Sequence, residues 1–195
     1  MMKKPKRIAV IGIDGSGKDI FAKTLFENSR NAALMKLTEY SPKDRVFRAL
    51  GKIPDKLIEA GERTKSKKLV VAGYAGHALL FGPYRIKKEK RKEKIFFVRY
   101  PPYDAEALSK VYGKGKASSL IKKIVKVASA SPRPDEIYLM EVEPKVAMDK
   151  IKQRGKPIQM HENKESLTKL AQEYEKVADR LAKKGVKIYK RRVIE

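Results

Sequence analysis

Residues Ile8-Ala9-Val10-Ile11 form an unbroken apolar run that feeds directly into Gly12-Ile13-Asp14-Gly15-Ser16-Gly17-Lys18-Asp19. A short run of this kind, rich in β-branched residues, predicts a strand buried on both faces of a parallel sheet. The glycines at 12, 15 and 17 let the backbone turn tightly and aim successive N–H groups at an anion. Phe21, Ala22, Leu25 and Phe26 then recur at helical spacing, so a helix N-terminus adds its own partial positive charge. Strand, glycine loop and helix in that order are the context a G-x-x-x-x-G-K phosphate-binding loop requires, with Lys18 reaching the outer phosphates of a nucleotide. A glycine turn with no ligand is the alternative. Asp19 departs from the pattern, because the usual Ser or Thr there offers Mg²⁺ a neutral hydroxyl. A carboxylate would bind the metal more strongly or repel the phosphates.

The chain has 195 residues, enough for one substantial core, and a single domain over 1–195 is expected. It contains no cysteine, which excludes a disulfide framework and any cysteine-ligated metal, and favours a cytoplasmic setting. No apolar stretch approaches the roughly 20 residues that span a bilayer, and no signal peptide is read at the basic N-terminus. The balance of 47 Lys and Arg against 23 Asp and Glu, a net +24, favours acidic partners. The densest basic runs are 87–92 and 183–192. They fit either phosphate neutralisation on a nucleic acid or a solvated lysine-rich surface; no recognition-helix signature accompanies them, so no specific nucleic-acid contact is predicted.

Further along, Ala32 to Leu37 reads as a second strand closed by Pro42, and Ile95-Phe96-Phe97-Val98 as a third. The stretch between Val46 and Arg91 is mostly helical, with Gly51, Pro54, Gly73, Gly76 and Pro83 against its continuity. A loop with Pro101 and Pro102 precedes a short helix over Ala105 to Val111. Ser118 to Ala130 carries a basic amphipathic helix, to be packed on the sheet or laid on a membrane surface. Glu136 to Val142 is the fourth strand, Val146, Met148 and Ile151 open a helix, and Leu167 to Leu181 make a long one. Gly185 caps it ahead of a fifth strand, Val186 to Tyr189. Alternation of this kind argues for an α/β fold, a parallel sheet with helices on both faces.

Three segments resemble the P-loop nucleoside monophosphate kinases, and among them the thymidylate kinases. Gly12-Ile13-Asp14-Gly15-Ser16-Gly17-Lys18 is similar to the family's G-[IV]-D-G-x-G-K loop. Pro134 to Met148, running on to Gln153-Arg154-Gly155, is similar to its P-D-x-x-x-Y-L-x-V-x-P-x-x-A segment and the arginine that follows. Arg99-Tyr100 falls after a buried strand, as in the family's Asp-Arg-Tyr motif, and His161-Glu162-Asn163 looks like the exit from a lid. The resemblance implies a three-layer α/β/α fold with strand order 2-3-1-4-5 and a short lid over about 154–163. It implies ATP and Mg²⁺ as cofactors, a nucleoside monophosphate as phosphate acceptor, and the dimer usual among such proteins. Gly12, Gly15, Ser16, Gly17, Lys18 and Asp19 would bind ATP, Asp19 also holding the metal. Asp14 would hold the acceptor sugar, and Arg99, Arg85 and Tyr100 would complete the acceptor site. Lys18, Arg99 and Arg154 are the implied catalytic residues, Lys156 stands near Arg154, and His161 and Glu162 are read as lid or capping residues.

Two positions depart from the resemblance. Val98 stands where the family has the aspartate of Asp-Arg-Tyr, and Asp19 stands at the metal-binding hydroxyl, so a carboxylate lost at the third strand is answered by one gained at the loop. The family's base-reading tyrosine and amide have no match in Glu106-Ala107-Leu108-Ser109. Phosphoryl transfer is the expected activity; nucleotide binding without turnover, and a basic P-loop protein that engages nucleic acid, are the alternatives.

Overall fold

A computed structural model describes residues 4–36, 44–89, 92–112 and 133–193, with Ser119, Lys123 and Lys126 between them. Pro42, the amphipathic segment 118–130 as a whole and the side chains of 86–91 lie outside the described residues. The elements run β1 (Lys6–Ile11), α1 (Lys18–Glu27), β2 (Ala32–Lys36), α2 (Arg45–Thr64), α3 (Lys67–Glu89), β3 (Lys94–Val98), α4 (Pro101–Tyr112), β4 (Glu136–Glu141), α5 (Pro144–Gln153), α6 (Lys164–Ala182) and β5 (Lys187–Arg192).

The five strands form one sheet in the order β2-β3-β1-β4-β5, every pair parallel. Order and orientation match the expectation. Because successive side chains alternate across a strand, the continuous apolar runs supply two cores. Ala9, Ile11, Ile95, Phe97, Ile137 and Leu139 join the larger, which also takes in α3, α4, α5 and α6. Val10, Val98 and Met140 meet Ala22 of α1 on the opposite face. Val98 is thus a core residue, 2% exposed, and a carboxylate there would be buried among apolar side chains.

Three local expectations are corrected. Pro101 and Pro102 do not lie in a loop but open α4, where fixed φ and missing N–H are tolerated because the first turn has no intrahelical acceptor for those groups. Pro54 and Pro83 lie within α2 and α3 without dividing them, and the glycines between are contact points. A Cβ on Gly73 would come within 2.5 Å of Ile58 and 2.7 Å of the Pro54 carbonyl, so these two helices pack at a separation only glycine permits. The fifth strand runs to Arg192, three residues beyond the expected end. Among the described residues, no helix is long and apolar enough to cross a membrane.

Candidate active site

The phosphate loop joins the C-terminal end of the central strand β1 to α1, the place where ligands bind in open parallel sheets. Gly15 has φ +79°, and a Cβ there would lie 2.4 Å from the Ala147 carbonyl of α5, so the loop is pressed against that helix in a shape reserved for glycine. Gly17 caps α1 in the left-handed conformation. The Ser16 hydroxyl is buried and has no hydrogen-bond partner among the described residues, as a group awaiting a ligand oxygen would be. Lys18, 2% exposed, folds back so that its Nζ donates to the Ile13 carbonyl at 3.0 Å and to Asp14 Oδ1 at 2.9 Å.

Asp14 is the hub. Its Oδ1 also accepts from the Arg99 guanidinium, and its Oδ2 pairs with His161 Nε2 at 3.0 Å. Burial works to raise its pKa, but Arg99, Lys18 and His161 together hold the carboxyl well below the usual range. Arg99 reaches Asp14 through an unusual backbone: it sits just past β3 with φ +66°, its N–H bonded to the Val10 carbonyl at 3.0 Å. A non-glycine residue in that region costs on the order of 1 kcal/mol or more, and such strain concentrates at functional sites. Burial opposes the charge on Arg99, yet Asp14 raises its pKa well above the ordinary value.

Beyond His161, Glu162 accepts from Arg154 Nη2 at 2.6 Å and from the Gln159 N–H at 2.7 Å. Met160 N–H in turn donates to Glu62 of α2 at 2.6 Å, and the Tyr112 hydroxyl of α4 donates to the Met160 carbonyl and accepts from the Ser166 hydroxyl. The segment 154–163 is therefore tied to α2 through Glu62 and to α4 through Tyr112. Glu162 is 1% exposed, with Oε1 unpartnered among the described residues.

A second carboxylate flanks Arg99. Asp104, in the first turn of α4, is 1% exposed and accepts from the Tyr174 hydroxyl of α6 at 2.5 Å. Burial pushes its pKa up to about 6, against the opposing pull of Arg99, the Tyr174 hydrogen bond and Lys18. Asp14 and Asp104 thus stand near one guanidinium with opposite shifts, one firmly ionised and one near neutrality at mildly acidic pH.

Lys18, Asp14 and Arg99 converge, and Arg154 stands one link away through Glu162 beside His161. Three other candidates have different surroundings. Arg85 is buried on α3. Tyr100 does not present its ring to an open site: it is 1% exposed and packs edge-on against Phe81 and Phe97 and tilted against Tyr103, because the turn that sends Arg99 to Asp14 sends its neighbour into the core. Asp19 is exposed on the first turn of α1, apart from the Asp14 cluster. Sequence reasoning passed over Asp104, which falls in the stretch read as a loop before a short helix; His161 and Glu162, read as lid or capping residues, meet Asp14 and Arg154.

Two places could be asked to hold a divalent metal. Ligand atoms of Asp14, His161 and Glu162 lie within 4.8 Å of one another. Lys18 and Arg99 already occupy Asp14, and Arg154 occupies Glu162, so a metal ion there would have to displace cations already paired with its ligands. Asp19, an exposed carboxylate in the first turn of α1, is a hard oxygen donor with no such cation partner among the described residues.

A small cavity of about 70 Å³, lined by Gly12, Ile13, Met140 and Tyr174, shares Glu141, Val142 and Glu175 with a groove of about 710 Å³ that reaches Arg192 and Val193. It runs from the phosphate loop along the C-terminal ends of β4 and β5, with a volume usual for a small-molecule site.

The thymidylate kinase family model matches residues 10–192. No curated protein matches the chain in sequence. Among solved structures, a thymidylate kinase from Candida albicans superposes with a TM-score of 0.72 at 16% identity, over 100% of this chain and 87% of that one, a likeness of fold. The family match takes in the phosphate loop, the strand end that carries Arg99, and the segment from Arg154 to Glu162, and this chain therefore belongs to the thymidylate kinase family of phosphotransferases.

Proposed function

We propose that the protein transfers the terminal phosphoryl group of ATP to a nucleoside or deoxynucleoside monophosphate, working as a single domain with 154–163 as its lid. The observation that carries this reading is the convergence of Lys18 and Arg99 on Asp14, with Arg154 held beside them by Glu162. An oxygen of the acceptor phosphate attacks the terminal phosphorus of ATP, the bond from that phosphorus to the bridging oxygen breaks, and ADP leaves. Such a reaction asks the protein mainly for positioning and charge stabilisation. The loop from Gly12 to Lys18 cradles the donor phosphates, and the groove at the ends of β4 and β5 takes the donor's base and sugar. Arg99 clamps the acceptor phosphate with its planar fork. Arg154 turns toward the transferring group as the lid closes. Mg²⁺ held at Asp19 would neutralise charge on the donor phosphates.

The test is product formation with a panel of monophosphates. ADP and nucleoside diphosphate should appear in equal amounts, and Lys18→Ala should lower turnover on the order of 10²- to 10³-fold. One observation favours a second reading, nucleotide binding without turnover: Val98 leaves the end of β3 without a carboxylate. Tight ATP binding with no diphosphate from any acceptor would decide for it. A homodimer is supported by Val46, Leu50 and Ile53, an exposed apolar stripe at helical spacing on α2, and light scattering at several concentrations measures it.

A further inference from the structure

The basic run 183–192 meets the proposed kinase site only at Arg192, which reaches the groove beyond β4 and β5. The sheet gives the rest of it a defined face. Side chains alternate along β5. Ile188 turns to the larger core, shared with α5 and α6, so Lys187, Tyr189, Arg191 and Val193 fall on the opposite face, where Val193 meets the cluster around Ala22 of α1. That face is only partly roofed among the described residues. The helix α1 packs chiefly over β1, β2 and β3, while β4 and β5 pack against α6 on the other side of the sheet.

On the open part lies a row of rings. Tyr189 is 42% exposed and stacks on Tyr138 of β4, its register partner, with centroids 4.9 Å apart and planes at 20°. Phe21 of α1 meets Tyr138 edge-on at 5.2 Å, and the Arg191 guanidinium lies 4.5 Å over the Phe21 ring. One face of Tyr189 is thus covered by Tyr138. The other looks away from the sheet, because β5 is its last strand. Lys187 and Arg191, both exposed, stand two residues to either side of Tyr189, about 13 Å from one another along the strand. Glu136, opposite Lys187 in register, is paired instead with Lys6 at 2.8 Å. A net charge of +24 draws polyanions to the whole molecule; what sets this face apart is a ring between the charges. Cations alone suit any phosphate polymer. Rings set between cations suit one that alternates planar bases with phosphates, and base faces are open to a ring only where the bases are unpaired.

We infer that the β5 edge is a binding surface for single-stranded nucleic acid, without sequence preference: a base stacks on the outer face of Tyr189 while Lys187 and Arg191 hold the phosphates on either side. The surface is separate from the phosphate-transfer site, since the groove is walled by Pro144 and Val146 of α5 and Glu175 of α6, on the other face of the sheet. It stands whether or not the kinase reading does.

The experiment is fluorescence anisotropy with a labelled single strand of about ten nucleotides. It is compared with an abasic strand of the same length and charge and with the same sequence as a duplex, over a series of salt concentrations and with ATP in excess to occupy the phosphate loop. The single strand should bind about 10-fold tighter than the abasic one. Tyr189→Leu, which keeps apolar bulk but no ring face, should lose that advantage and keep the wild-type slope of affinity against salt. Tyr189→Phe should retain both. Lys187→Gln and Arg191→Gln should each lower the slope of log affinity against log salt by about 0.7. An abasic strand or a duplex bound as tightly as the single strand shows charge alone at work and overturns the inference. So does Tyr189→Leu binding as the wild type does, an unchanged slope in both glutamine variants, or no binding at all.

Discussion

Asp104→Asn should stabilise the protein at neutral pH, and the gain should vanish in acid. Asp104 is 1% exposed, and its pKa is raised from the ordinary 3.8 to about 6, chiefly by burial. In the unfolded chain the carboxyl loses its proton near the ordinary value; in the folded protein it keeps it until about pH 6. Between those values the folded state binds more protons, so stability falls as pH rises through the window and the full penalty is present above it. A rise of roughly two pH units, at about 1.4 kcal/mol each, amounts to about 3 kcal/mol. Asparagine keeps an oxygen for the Tyr174 hydroxyl and carries no charge to desolvate. Urea unfolding of both proteins from about pH 4 to pH 8 isolates the effect, because every other titrating group is common to the two. The stability difference should be near zero at the acid end and about 3 kcal/mol in favour of the variant at the neutral end. A difference that does not change with pH, or a variant less stable at neutral pH, would refute the reasoning.

Asp14→Asn should act in the opposite sense, costing about 3–5 kcal/mol by leaving Lys18 and Arg99 without their carboxylate. Since the Asp14 pKa is lowered in the folded state, its stabilisation is full above the ordinary carboxylate value and is lost only as pH falls below it, so wild type and variant should converge in strong acid. Glu162→Gln should weaken the charged hydrogen bond from Arg154 and lower the opening free energy of 154–163 by about 2 kcal/mol, read as faster hydrogen exchange at the Gln159 amide. Arg180 grips both oxygens of Glu106, at 2.6 and 2.7 Å, across α4 and α6; Arg180→Ala should cost about 1 kcal/mol at its half-exposed position, seen as a fall of about 2–4 °C in Tm that shrinks with salt.

What could be read in the sequence is what depends on neighbours along the chain. The apolar strand runs, the glycine loop and the order of elements led to the observed sheet, and Lys18, Arg99 and Arg154, singled out by motifs that span a few residues, are each paired with a buried carboxylate. Pro101 and Pro102 misled because proline terminates a helix in its interior and starts one at its first turn, and the local sequence does not say which. Gly73 and Pro54 read as breaks until the partner helix is in view, since their meaning lies in the close approach of α2 and α3. Asp104, and the contact of His161 with Asp14, escaped for a related reason. The partners lie 70 residues away for Asp104 and Tyr174 and 147 for His161 and Asp14, and only the folded sheet brings them together.

The arrangement also says why a strongly basic chain keeps acidic residues at its most basic site. Lys18, Arg99 and Arg154 are mutually repulsive and would scatter toward solvent if nothing held them. Asp14 and Glu162, both buried, hold them close and set their directions, so much of the ordering cost is met before any substrate arrives. With Asp104 counted, three carboxylates face three cations at neutral pH, and the N-terminus of α1 adds partial positive charge. A site without the carboxylates would have no fixed geometry. Arg99 already has the carboxylate of Asp14 in the loop and that of Asp104 in α4 beside it. Val98→Asp should therefore restore nothing: it would bury a further carboxylate in the apolar contact with Val10, Ala22 and Met140, and lower stability by several kcal/mol without raising turnover.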